Sequence, residues 1–147
     1  MKKLKLIRTR PKENEEESIT ISVHEDSEKV LRIIDILERS DELMVQLENE
    51  TLKLSLTDIF YVDSVDFKTY IYTEKEVYTS KLRLYEMDNS LPKTDFLRIN
   101  RQTILNLRKM KSVATAGGGR IEVTLVNGDK LIVSRQYAPQ LKERYGL

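Results

Sequence analysis

From Leu43 onward, apolar residues recur mostly at every second position in short runs, the period of a half-buried strand. Leu43 to Leu47 and Leu52 to Leu56 alternate around Asn49 and Glu50, which predicts a hairpin. Ile59 to Val62 and Lys68 to Thr73 predict two more strands with a polar loop, Asp63 to Phe67, between them, and Val77 to Thr79 a short one after. Leu82, Leu84, Tyr85 and Met87 then step at helical spacing until Leu91-Pro92 ends the element. Lys111 to Thr115 and Ile121 to Val126 flank Gly117-Gly118-Gly119, a hairpin turn and not a P-loop, because no lysine with serine or threonine follows and no helix begins. Asn127-Gly128 between TLV and DKLIV predicts a type I′ turn, in which both residues take positive φ. Gln136 to Tyr145 reads as a short helix with Leu141 turned inward. At least eight short strands joined by tight turns predict an antiparallel sandwich or open barrel. Its scattered aromatics, Phe60, Tyr61, Phe67, Tyr70, Tyr72, Tyr78 and Tyr85, are assigned to the core.

The pattern before Leu43 is different. Lys3 to Arg8 (KLKLIR) and Ser18 to Val23 (SITISV) alternate as strands do, with RPKENEEE a solvated loop between them. From Ser27 the period becomes helical: Val30, Leu31, Ile33, Ile34 and Leu37 share one face, and Asp26 or Ser27 can cap the start. His24 is read as a surface or capping residue. Residues 1–42 are therefore predicted as a small α/β extension whose apolar face packs on its own sheet, ahead of a mainly β domain over residues 43–147.

Between the predicted helix and the glycine turn, Phe96 to Asn106 (FLRINRQTILN) breaks a strand-like apolar run with closely spaced arginines and amides. Phe96, Ile99, Ile104 and Leu105 can anchor it, while Arg98, Asn100, Arg101 and Gln102 supply donors suited to phosphates and base edges. The net charge of +1 conceals a division along the chain: +5 over residues 1–10, −9 over 11–50 and +5 over 51–147. Lys81 to Lys111 alone holds eight basic and three acidic residues, so the basic excess surrounds this stretch.

Composition removes several classes of chemistry. Without cysteine there is no disulfide or thiolate chemistry, and a single histidine makes neither a zinc site nor a Ser-His-Asp set. No cofactor or metal is expected; Asp63 and Asp66 are read as solvent-facing turn acids. Met1 to Arg10 is basic but lacks a following apolar stretch, so no signal peptide is predicted, and no window is long enough to span a bilayer. The expectation is a cytoplasmic protein that is not an enzyme.

DIFYVDS at Asp58 to Ser64, LRLYEMDNSLP, FLRINRQTILN, LVNGDKL and VSRQY at Val133 to Tyr137 occur in an order and spacing that resemble the LytTR DNA-binding domain of bacterial transcription regulators. The resemblance covers residues 51–147. It implies an elongated antiparallel β-sandwich with short helices, which holds double-stranded DNA with loops and has no recognition helix. It also implies three sources of base contacts: Lys68 or Thr69, Arg101, and Arg135. Arg98, Asn100, Gln102, Asn106, Arg108 and Ser134 are then backbone-contacting or supporting residues. Asn100 stands where the family often has His, and Gln102 where it often has Ser. Residues 1–42 are too short for the receiver domain common in such regulators and resemble the extension of small stand-alone members. That implies a homodimer on DNA, or a membrane-protein or other regulatory partner, acting through residues 1–42. A single-stranded nucleic acid or RNA binder is the alternative, although such platforms rely on exposed aromatics.

Overall fold

The computed structural model describes residues 4–38 and 41–147. The chain divides into two compact units, Met1–Arg39 and Ser40–Leu147. In the first, the predicted helix forms as α1 (Glu28–Glu38), and Ser27 caps it by accepting the Val30 N–H at its Oγ, 3.3 Å away. The predicted strands do not form. Lys3 lies outside the described residues, and residues 4–8 and 18–23 pair with nothing regular, leaving Leu6 and Ile19 exposed. Alternation is a condition for a half-buried strand, but it makes one only where the backbone groups find a partner strand, and among the described residues these segments pair with none. The helix face accordingly has no sheet of its own: Val30 is buried and Ile34 half-buried, while Leu31, Ile33 and Leu37 are exposed.

The second unit holds ten strands: β1 (Glu42–Leu47), β2 (Glu50–Ser55), β3 (Tyr61–Val65), β4 (Lys68–Tyr72), β5 (Val77–Ser80), β6 (Phe96–Arg98), β7 (Thr103–Asn106), β8 (Met110–Thr115), β9 (Ile121–Leu125) and β10 (Lys130–Val133). Two helices, α2 (Leu84–Ser90) and α3 (Ala138–Tyr145), sit where helical spacing predicts them. Seven strands form one antiparallel sheet in the order β2-β1-β5-β4-β3-β7-β6, and β10-β9-β8 form another.

Asn127-Gly128 turns the β9–β10 hairpin as predicted, but two turns differ in type from the expectation. Asn127-Gly128 is not a type I′ turn: only Gly128 has positive φ (92°), and the Asn127 side chain instead accepts the Asp129 N–H at 3.0 Å. The two-residue turn with both φ positive is Asp66-Phe67 (50° and 65°). It belongs to a segment expected to be a loop, which is instead the end of β3, paired from Tyr61↔Tyr72 to Val65↔Lys68. Register dictates this, because a two-residue link between directly opposed strands must match their twist whatever residues occupy it.

Packing explains why the large sheet needs cover on both faces. Val62, Ile71 and Ile104 lie on one face with α2 residues Leu84 and Met87 and with Leu91 and Phe96. Leu105 and Ile99 belong to a second cluster with Ile121, Val123, Leu125 and Val133 of the small sheet and Leu141 of α3. Successive residues of a strand point to opposite faces, so Ile104 and Leu105 commit β7 to both clusters at once. All four residues of β7 are buried. The aromatics divide less uniformly than expected: Phe60 is buried, but Phe67 and Tyr85 are 84% and 63% exposed.

Truncating either β7 side chain should remove packing from a site with no room to collapse. Ile104→Ala and Leu105→Ala should each lower unfolding stability by about 2–5 kcal/mol in denaturant titrations. Losses below about 1 kcal/mol for both would contradict the central place of β7.

Candidate nucleic-acid interface

The strand registers bring several loops to one end of the large sheet. Val65↔Lys68 closes the β3–β4 hairpin there, Thr69↔Ser80 places the end of β5 beside it, and Asp63↔Thr103 and Arg98↔Ile104 place the β6–β7 loop on its other side. The Ser64 N–H donates to the Gln102 carbonyl at 2.8 Å, tying hairpin to loop. The small sheet joins the same end, since the Ser134 N–H donates to the Ile99 carbonyl at 2.8 Å.

The β6–β7 loop is held rigid by its own polar residues. Asn100 closes an Asx turn, its Oδ1 accepting the Gln102 N–H at 2.8 Å, and its Nδ2 donates to the Ile132 carbonyl at 3.2 Å. Arg98 reaches along the loop, donating from Nε to the Asn100 carbonyl at 3.2 Å and from its terminal nitrogen to the Arg101 carbonyl. These two side chains are consumed by the loop they support. Arg101 and Gln102 are exposed, and no hydrogen bond or ion pair engages the Arg101 guanidinium among the described residues.

Arg101, Gln102, Ser134 and Arg135, with Asn100 and Gln136, line an open cavity of about 480 Å³. Ser134 contributes its backbone: its carbonyl accepts the Tyr137 and Ala138 N–H groups at 3.0 and 2.9 Å, which turns the chain into α3. Arg135 is exposed and lies against Gly119, where a Cβ would come within 3.0 Å of the arginine Cγ. Gly119 also has φ +77°, so both space and backbone demand glycine. The glycine turn thus lets the Arg135 stem lie against it, a role the GGG run signals because glycine permits close approach.

Other predicted site residues fall elsewhere. Lys68 is exposed at the hairpin, but Thr69 is 2% exposed and its hydroxyl donates to the Leu82 carbonyl at 2.7 Å. Thr69 is therefore corrected from a base-contacting to a structural residue. Its role is to fasten the segment containing Lys81 and Arg83, two exposed cations absent from the predicted set, to the same end. Asn106 is buried, donating to the Ile59 carbonyl at 2.7 Å and accepting the Arg108 N–H at 3.1 Å, so it supports the fold at the opposite end of β7. Arg108 lies at that opposite end too, paired with Asp95 at 2.8 Å; that hydrogen bond and charge raise its pKa. Of the two roles expected for Arg108, contact with the DNA backbone or support of the fold, this ion pair supplies the second.

The other raised groups lie away from this end as well. Burial pushes the Tyr61 phenol up to about 12, with Asp129, Tyr72 and Asp63 adding to the shift, and burial also raises Tyr72. Among the described residues, then, the shifted groups are not gathered around the cavity, and its chemistry is that of fixed donors and positive charge.

Comparison with known proteins bears on the family and the fold. Residues 49–146 match the model of the LytTr DNA-binding domain. A Sensory transduction protein LytT of Enterococcus faecalis is 29% identical over 109 residues, which is 74% of this chain and 45% of that protein. The chain thus spans less than half the length of that relative. An uncharacterised HTH-type transcriptional regulator of Staphylococcus aureus is 24% identical over 139 residues, covering 91% of this chain and 93% of its own. A solved LytTr DNA-binding domain from Bacillus cereus superposes with TM-score 0.70 at 24% identity, over 74% of this chain and all of that one. Two antiparallel sheets, short helices and a basic loop end thus come with a family match over two thirds of the chain, and this protein belongs to the LytTr DNA-binding domain family.

Proposed function

We propose that this protein is a transcription regulator that binds double-stranded DNA sequence-specifically, reading bases with Lys68, Arg101 and Arg135. The observation that carries this reading is the convergence of three loop-borne cations at one sheet end, with the Arg101 guanidinium unengaged and the Arg135 stem seated on Gly119. A guanidinium fork matches guanine O6 and N7 in the major groove, a contact worth about 1–3 kcal/mol of discrimination. Gln102 and Ser134 add neutral donors beside the arginines. Arg98, Asn100 and Asn106 act from behind, by keeping loop and strand in place.

Duplex DNA is favoured over a single strand by the kind of group presented. Most of the aromatics among the described residues are buried or half-buried, Phe67 and Tyr85 being the largely exposed ones besides the C-terminal Tyr145, whereas single-strand platforms stack successive bases on several exposed rings. The extension, residues 1–42, supplies a dimerisation or regulatory contact through the exposed side of α1. Among the described residues no helix is long and apolar enough to cross a membrane, so a membrane-protein partner would meet this chain from outside the bilayer.

Competition binding tests the ligand class: a selected duplex should be displaced by itself and not by single-stranded RNA of equal length. Equal displacement by RNA would sink the proposal. Arg101→Ala and Arg135→Ala should each reduce the preference for the selected duplex over random DNA by about 5- to 150-fold, leaving affinity for random DNA nearly unchanged. Arg→Lys at either position should lose most of that preference while keeping the salt slope, because charge is retained and the fork is not. Unchanged preference in folded variants would reduce both arginines to general positive charge. Raising salt from about 50 to 200 mM should weaken binding about 10³-fold if some six phosphates are neutralised, and a flat response would contradict a basic interface.

A further inference from the structure

Phe67 is the most exposed large hydrophobic side chain among the described residues, at 84%. It occupies the second position of the two-residue β3–β4 turn with φ +65°, next to Asp66 at +50°. A left-handed backbone costs a non-glycine residue roughly 1 kcal/mol or more, and asparagine or glycine fills such turns most readily. A phenylalanine there gains nothing from burial and bears that cost, so burial does not explain its presence.

Its position gives it a partner. The turn lies between Val65 and Lys68 at the end of the sheet where the Arg101 loop is bonded through Ser64 to Gln102. Val65 is itself 46% exposed, so an apolar tip projects among cations. The Arg83 guanidinium sits over the Phe67 ring, 5.8 Å from its centroid, and Thr69 holds that segment through the Leu82 carbonyl. With one face shared with Arg83, the ring does not have the two free faces that insertion between base pairs requires. A free edge and face suit a small apolar group at the groove floor, and in the major groove that group is the thymine 5-methyl.

We infer that Phe67 is a specificity-determining residue that recognises a thymine methyl beside the base edge met by Lys68, with Arg83 directed to the adjoining phosphate. This rests on the proposal that the chain reads duplex DNA, and it adds an apolar contact to a site otherwise made of polar donors. The same side chain explains the tolerated turn geometry as a cost retained for binding.

The test uses the full chain and a duplex enriched from random sequence, with each thymine replaced in turn by deoxyuridine, which removes only the methyl. At one position per bound protomer the parent should lose about 4-fold in affinity, the worth of one buried methyl. Phe67→Ala should bind the methylated and unmethylated duplexes equally at that position and keep its discrimination elsewhere. Phe67→Gly should behave likewise while its Tm equals or exceeds the parent's, because glycine adopts the turn freely. The inference is overturned if every thymine replacement affects parent and Phe67→Ala alike, if Phe67→Ala weakens selected and random duplexes equally, or if Phe67→Gly lowers Tm. Failure to enrich any duplex would overturn the underlying DNA reading as well, which separates the two outcomes.

Discussion

The structure depends on β7 being covered from both sides. Ile104 enters the cluster beneath α2 and Leu105, one residue on, enters the cluster beneath the small sheet. A strand buried on both faces cannot slip by one residue without exchanging the two sets, so its register is tightly specified. What that register fixes is the loop before it: Ile99, fully buried, anchors one side, Thr103 the other, and Asn100 to Gln102 have nowhere to go but the sheet end. Precision at the exposed loop is thus a consequence of packing several ångströms away from it.

That constraint also accounts for the division of labour among polar residues. Side chains of Arg98, Asn100 and Asn106 all satisfy backbone groups of neighbouring segments, and Asn106 does so while buried. An unpaired carbonyl in such places would cost about 1–3 kcal/mol, so these residues are tied to structure first. Arg101, Lys68 and Arg135 differ in being exposed at the loop ends, where their charge is available to a ligand. A rigid scaffold with exposed cations at its rim reduces the ordering cost of binding a ligand.

Much of this was legible in the residues. Strict alternation, helical spacing at Leu84 and Met87, and the motif order over residues 51–147 were enough for the two helices, most strands and the family. What escaped was set by partners distant in the chain. SITISV alternates as a strand does, yet it is not paired with one. Thr69 looks like a surface hydroxyl until β4 and the Leu82 segment meet. The turn at Asp66-Phe67 had no glycine to announce it, and only the pairing of β3 with β4 reveals that both residues must take positive φ. Local sequence carries propensity, whereas pairing decides which propensities are realised.

In the reading proposed above, one end of the large sheet, assembled from separate loops, is the surface that meets duplex DNA. Amide chemical-shift mapping on titration with a selected duplex would locate that surface. Changes should gather at residues 64–69, 81–83, 99–102, 117–120 and 134–137, and leave the opposite turns, 57–60 and 73–76, little affected. Changes concentrated at those opposite turns or along α1, with the β6–β7 loop silent, would contradict it.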